Sequence, residues 1–243
     1  MQEAKIEPII VSYNAGISAC EKEGQWSEAL WLFTELVEDS LELNTMSYNT
    51  VISACGKGWK WQEALSLFTG VRDANLEPDG ISYNVCITAC ETASQFQRAV
   101  SLLRDMWDVK LEYSVSMYGS GISACEKVGR WQHARSLLSE MREMKLEPDV
   151  VCYTGGVRAC GKGGQWQLAL SSFREMLEAS VEPDAVSFRS AIQACGKVGQ
   201  WQEALSLLRE LLEVGLEPEV ISSTTLESRL AEKDGAGRRR CLC

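Results

Sequence analysis

Large apolar side chains recur at intervals of three and four along most of this chain, and the intervals return in blocks of constant length. In Tyr13-Asn14-Ala15-Gly16-Ile17-Ser18-Ala19-Cys20 that spacing puts Tyr13, Ile17 and Cys20 on one stripe of a helix. Gly24 interrupts the stripe, as Gly129, Gly164 and Gly199 do further on. Trp26, Ala29, Leu30, Phe33 and Leu36 then form the stripe of a second helix. A Glu-Pro pair closes the block, because proline disfavours helical backbone at the residue before it. Strand-like alternation is absent, so the pattern predicts helix, turn, helix, repeated.

The repeat has a fixed length. Cys20, Cys55, Cys90, Cys125, Cys160 and Cys195 follow one another at intervals of 35 residues. Trp26, Trp61, Phe96, Trp131, Trp166 and Trp201 keep the same interval, and so do Tyr13, Tyr48, Tyr83, Tyr118, Tyr153 and Phe188. Glu-Pro pairs stand in the same register at Pro8, Pro78, Pro148, Pro183 and Pro218, with Leu43 and Tyr113 in the two remaining proline places. Four marker sets share one period without insertion, which is the signature of a solenoid built from helical hairpins. The Trp series is expected in the core between the helices of each hairpin. The Cys series is expected to supply small packing residues at the end of each first helix.

Composition narrows the chemistry. Of the 243 residues, 45% are hydrophobic, as in a folded protein. No apolar run is long enough to span a membrane. The opening Met1-Gln2-Glu3-Ala4-Lys5 has the pattern of neither a signal peptide nor a transit peptide. Ten cysteines include no Cys-x-x-Cys pair, and His133 is the single histidine, so no metal or other cofactor is expected. Equivalent cysteines on stacked helices should lie roughly 8–10 Å apart, beyond the reach of about 7 Å that a disulfide needs. His133 stands where other units carry Glu28, Glu63 and Glu203, a solvated outer face. No nucleophile-base-acid set and no phosphate-cradling Gly-Lys loop can be nominated, so the chain reads as a non-enzyme. The ending Arg238-Arg239-Arg240-Cys241-Leu242-Cys243 has some likeness to a double-cysteine lipidation signal, and reads as an incidental basic tail.

A 34-residue period would suggest the tetratricopeptide repeat, but here the period is 35. Units open with phrases such as Val11-Ser12-Tyr13-Asn14 and Ile81-Ser82-Tyr83-Asn84, and close with phrases such as Leu146-Glu147-Pro148-Asp149. With Lys after Cys and Glu-Ala-Leu in fixed register, the chain resembles the pentatricopeptide repeat family from about Ile10 to Glu219. The resemblance implies an all-α, right-handed superhelical solenoid of tandem 35-residue helix-turn-helix units. Residues 1–9 are then the end of a preceding partial repeat. Six repeats follow at 10–44, 45–79, 80–114, 115–149, 150–184 and 185–219, and 220–243 is a degenerate partial repeat with a disordered basic tail.

The resemblance also implies single-stranded RNA as the partner, held in a groove lined by the first helices, one base per repeat and the chain parallel to the RNA. In that family the residue after the opening aromatic and the last residue of the unit select the base together. Carried over, the pairs are Asn14 with Asn44, Asn49 with Asp79, Asn84 with Ser114, and Thr154 with Asp184. They resemble pyrimidine, uracil, cytosine and guanine selectors in turn. The fourth unit has Gly119 and leaves Asp149 alone, and the sixth has Arg189 with Glu219, outside the usual set. Val11, Met46, Ile81, Val151 and Val186 would wedge between bases, with Ser116 a weak substitute. The implied target is pyrimidine-rich, Y-U-C-N-G-N from its 5′ end.

A formal charge of −10 opposes an RNA partner. The first-helix segments, however, hold seven basic side chains against four acidic ones, so the acidity lies elsewhere. Lys22, Lys57, Lys127, Lys162 and Lys197 recur in register, and such a ladder could follow a phosphate backbone. Charges favoured at helix C-termini give the same pattern. By resemblance the chain would be a monomer acting in RNA processing, stability or editing through protein partners, in a mitochondrion or plastid. The alternative is a protein-interaction scaffold of the tetratricopeptide kind, which the acidity favours.

Overall fold

The computed structural model describes residues 3–38, 43–109 and 111–216, with side chains from residue 10 onward. All regular structure among them is helical: α1 (Glu3–Lys22), α2 (Trp26–Glu38), α3 (Thr45–Lys57), α4 (Trp61–Asp73), α5 (Gly80–Thr92), α6 (Phe96–Asp108), α7 (Val115–Lys127), α8 (Trp131–Glu143), α9 (Val150–Lys162), α10 (Trp166–Glu178), α11 (Ala185–Lys197) and α12 (Trp201–Glu213). They fall into two compact units, residues 1–128 and 129–243.

The turn inside each hairpin needs one residue with left-handed backbone. Gly24, Gly129, Gly164 and Gly199 provide it with φ between 69° and 77°, as their register predicts. Trp59 (φ 63°) and Ser94 (φ 58°) fill the same place without the freedom of glycine. A second left-handed residue ends the later second helices, at Asn75, Lys145, Ser180 and Gly215. Each stands three residues before a proline. The stop at Glu7-Pro8 does not occur, because α1 runs from Glu3 through it. The physical reason lies in the left-handed residue: Lys5, in its register, is helical, and proline alone does not end the helix.

Within the first unit, α1 packs on α2 and α3, α3 on α4 and α5, and α5 on α6 and α7. In the second unit α9 packs on α8, α10 and α11, and α11 on α10 and α12. Within each unit successive first helices therefore touch one another, whereas among the described residues no second helix brings its backbone within 8 Å of the next. Within each unit the first helices form a layer that a linear ligand can follow.

Edge-to-face aromatic pairs join the hairpins. Phe33 meets Tyr48, Phe68 meets Tyr83 and Phe173 meets Phe188, each with ring centroids 4.9 Å apart. Each pair adds about 0.5–1.5 kcal/mol beyond its buried area. The cysteine ladder is buried from Cys55 to Cys195, with Cys20 half-buried, and all eight described cysteines are free thiols. Gly56 and Gly161 let the next first helix come close: a Cβ on Gly56 would stand 2.9 Å from Ala89 Cβ, and one on Gly161 3.0 Å from Ala194 Cβ.

The tryptophan series is not core. Trp26, Trp61, Trp131 and Trp166 are half-buried and Trp201 is exposed. Each opens a second helix, too near the hairpin turn to reach the middle of the hairpin. Trp26 and Trp131 instead lie over Gly58 and Gly163, just past the ends of the following first helices, where a Cβ would overlap the indole. The interior position falls to the smaller Ala29, Ala64, Ala134, Ala169 and Ala204, all buried.

Candidate nucleic-acid interface

The last residue of each unit is also the N-cap of the next first helix. Asn44, Asp79, Ser114, Asp149 and Asp184 have extended backbone, and each accepts a hydrogen bond from the backbone N–H three residues on. The distances are 2.9 Å to Ser47, 2.8 Å to Ser82, 3.3 Å to Met117, 2.9 Å to Cys152 and 2.7 Å to Ser187. Capping is the commonest reason for Asn, Asp or Ser at such a place. One acceptor site of each candidate base selector is therefore occupied before any ligand arrives. Ser82 completes a reciprocal capping box with Asp79.

The partner positions lie one turn into the helix. Asn49 and Thr154 are only 7% exposed, and Asn14, Asn84 and Arg189 are half-buried. Asn49 Nδ2 donates to Asp79 Oδ1 at 3.3 Å, so the second pair meets directly. Thr154 reaches Asp184 through a relay: Thr154 Oγ1 lies 2.7 Å from Ser187 Oγ, which donates to Asp184 Oδ1 at 2.6 Å. Because Ser187 gives its hydrogen to the carboxylate, Thr154 must be the donor in the first link. Its oxygen then has only lone pairs left to offer. No direct hydrogen bond joins Asn14 to Asn44 or Asn84 to Ser114 among the described residues.

Among the described residues, three buried side-chain polar atoms lack a partner: Oδ1 of Asn14, of Asn49 and of Asn84. A buried unsatisfied acceptor costs about 1–3 kcal/mol, and such groups are uncommon in folded proteins. Three in the same register, 35 residues apart, are a repeated feature. Asn49 cannot relieve it by turning its amide over, since that would set Oδ1 against the Asp79 carboxylate.

Apolar side chains stand beside these amides. Val11, Met46, Ile81 and Val151 are 63–68% exposed, Val186 is 36% exposed, and Ser116 is exposed in the same register. Gly119 gives the fourth unit no side chain, and Glu219, the partner expected for Arg189, lies outside the described residues.

The lysine ladder is less free than its spacing suggests. Lys22, Lys57, Lys127, Lys162 and Lys197 are all exposed at first-helix ends. Lys57 Nζ, however, pairs with Glu21 Oε1 at 2.9 Å, and Lys127 Nζ pairs with Glu91 Oε1 at 3.3 Å. Burial pushes the Glu21 carboxyl up, but hydrogen bonds from Lys57 and Ser53 and the nearby ammonium charges more than offset it, so it sits below its usual range. The pairing signal was present in the sequence as an acid one repeat and one residue before each lysine, a spacing that helical periodicity alone does not examine.

Three first helices of the first unit, α1, α3 and α5, thus carry an unpartnered acceptor atom and an exposed apolar side chain three residues before it, in one register. That combination can hydrogen-bond one planar polar edge in each of these three hairpins and cover its faces. No described helix is long and apolar enough to cross a membrane.

Between residues 8 and 216 the chain is similar to one class of repeat. The PPR repeat family matches residues 8–57 and 43–92, the pentatricopeptide repeat domain residues 101–163, and the PPR repeat residues 81–110, 151–181 and 186–216. No curated protein matches the sequence. Among solved structures, the pentatricopeptide repeat protein PPR10 from maize is 27% identical with a TM-score of 0.69, over 89% of this chain and 31% of that one. This chain therefore spans about a third of that protein. PPR10 in complex with an 18-nt psaJ RNA element is 21% identical, with a TM-score of 0.55 over 96% and 39% of the two chains. The PPR domain of Arabidopsis thaliana protein-only RNase P 1, in complex with tRNA, is 16% identical, with a TM-score of 0.64 over 76% and 95%. At these identities the last two show the fold alone, an all-α repeat solenoid.

Proposed function

Because this chain belongs to the pentatricopeptide repeat family, we propose that its first-helix layer binds single-stranded RNA, one base to each of the repeats 10–44, 45–79, 80–114, 115–149, 150–184 and 185–219. The observation that carries the reading is the set of unpartnered Oδ1 atoms of Asn14, Asn49 and Asn84 beside the exposed Val11, Met46 and Ile81. An unpaired base supplies what that arrangement lacks: N–H donors for the acceptor atoms and a flat face for the apolar side chains. A duplex hides both.

Two of the selecting pairs have a chemistry that fits the bases assigned to them. Asn49, its Nδ2 held by Asp79, presents Oδ1 as an acceptor for the N3–H of uracil. Thr154, its hydrogen given to Ser187, presents an acceptor for the N–H groups of guanine. The target reads Y-U-C-N-G-N, with Asn14 and Asn44 on the first base, Asn84 and Ser114 on the third, and Gly119 leaving the fourth open. The solved complexes of PPR10 with RNA and of the RNase P 1 PPR domain with tRNA support this class of partner.

The chain carries no chemical step in this reading. It marks a site on a transcript for processing, stabilisation or editing by protein partners, in a mitochondrion or plastid, and does so as a monomer. Binding of one labelled RNA in single-stranded and duplex form tests it. Preference for the single strand, lost on Asn49→Ala together with Asn84→Ala, is expected. Equal binding of both forms, unaffected by the two substitutions, would sink it and favour a protein scaffold, to which the charge of −10 is better suited.

A further inference from the structure

Glu21 reaches from α1 to the next first helix. There Ser53 Oγ donates to its Oε1 at 2.8 Å, and Lys57 Nζ stands 2.9 Å from the same oxygen. The arrangement returns two hairpins later. Ser123 Oγ donates to Glu91 Oε1 at 2.7 Å, Lys127 Nζ lies 3.3 Å from that oxygen, and the ammonium also donates to the Glu91 carbonyl at 2.9 Å. Ser53 and Lys57 follow Asn49 at intervals of four residues, so the clasp lies on the selector stripe of α3. Ser123 and Lys127 follow Gly119 in the same way on α7.

Glu126 stands in the same register before Lys162, whereas Gly56 and Gly161 take that place in two other hairpins. Gly56 meets Thr92, whose Oγ1 donates to the Gly56 carbonyl at 3.2 Å. Gly161 precedes Lys197, which is exposed and forms no ion pair among the described residues. The lysines that share one register are therefore of two kinds.

We propose that Glu21 and Glu91 take Lys57 and Lys127 out of the phosphate-contacting set and use them as clasps between successive first helices. Lys197 is then a ladder lysine open to a phosphate of the RNA. The consequence for RNA rests on the function proposed above, while the clasp itself does not. Moving Lys57 to a phosphate would strip Glu21 of its counter-charge and set two anions side by side. That repulsion offsets most of the gain.

The full-length chain tests this in two ways. Salt dependence of affinity for a single-stranded RNA containing CUCAGA should have a slope clearly shallower than about −3.5, the value if all five lysines met phosphates. Lys197→Ala lowers the slope by about 0.7, the charge-neutral double variants Glu21→Gln/Lys57→Ala and Glu91→Gln/Lys127→Ala leave it unchanged, and Glu21→Gln with Glu91→Gln steepens it. An equal loss from Glu21→Gln/Lys57→Ala and Lys197→Ala overturns the proposal. Without RNA, reductive methylation followed by mass spectrometry should label Lys57 and Lys127 roughly two- to fivefold more slowly than Lys197, the range expected of an exposed ion pair. Glu21→Gln should bring Lys57 level with Lys197. Equal labelling of the wild type overturns the clasp. A folded wild type with protected lysines and no RNA binding overturns the RNA reading instead and leaves the clasp standing.

Discussion

Asp79 Oδ1 accepts from Asn49 Nδ2 across 3.3 Å while also accepting the backbone N–H and the hydroxyl of Ser82, each at 2.8 Å. One oxygen starts a helix and orients the amide of the previous one. Asp79→Ala should therefore cost about 1 kcal/mol in urea unfolding, the usual worth of an N-cap, and also release the Asn49 amide. Asp79→Asn should keep most of the stability, because asparagine caps equally well.

Acid sensitivity follows from the same carboxylate. Burial raises its pKa, but the Ser82 and Asn49 hydrogen bonds outweigh that and leave it lowered. A lowered pKa in the folded state contributes stability above the unfolded value of about 3.9, and that stability is lost as pH falls through the folded value. Urea midpoints should be flat from about pH 5 to 8 and decline below that range, less so in Asp79→Asn. A decline already complete near neutral pH would contradict the assignment.

The exposed Ile81, proposed to wedge between bases, separates binding from folding. Replaced by alanine it should change stability by no more than about 0.5 kcal/mol, as for other surface positions. RNA affinity should fall about fivefold or more if the side chain covers a base, at the low end of the stacking range. Equal affinity would remove the apolar row from the interface.

Backbone demands give a pair of opposed stability tests. Ser94 holds φ 58° where other units use glycine, so Ser94→Gly should raise the unfolding free energy by about 1 kcal/mol. Gly163→Ala places a Cβ against the Trp131 indole and should lower it by about 1–3 kcal/mol. Thermal melts of the two variants should move in opposite directions.

Buried thiols should be inert in the native state. Burial pushes Cys55, Cys90, Cys160 and Cys195 up to about 11 and Cys125 up to about 12. Alkylation near pH 8 should spare them until denaturant is added. Rapid native labelling of this ladder would contradict its place in the core.

The period, the hairpin and the turn glycines were legible in the residues because each rests on local backbone chemistry or on a stripe of one helix. Three features were not. The tryptophans look like core residues by size, yet Trp26 and Trp131 lie over Gly58 and Gly163 in the neighbouring hairpin, and helical periodicity carries no information between hairpins. The Glu21 and Lys57 pairing is hidden for the same reason. Pro8 looks like a stop, but stops in this chain come from the left-handed residue three places earlier, and Lys5 is helical. At the candidate site the sequence placed the selectors and wedges in register. It did not show that the last residue of each unit is also a helix cap, nor that three asparagine oxygens are left without a partner.

Base-by-base recognition is tested most directly by fluorescence anisotropy with a labelled RNA containing CUCAGA, a scrambled RNA, and the Asn49→Thr protein, at low and moderate salt. Preference for CUCAGA is expected, with the preferred second base changing from U to G in Asn49→Thr while the other positions hold. No binding at low salt, or a preference that Asn49→Thr leaves untouched, would contradict it.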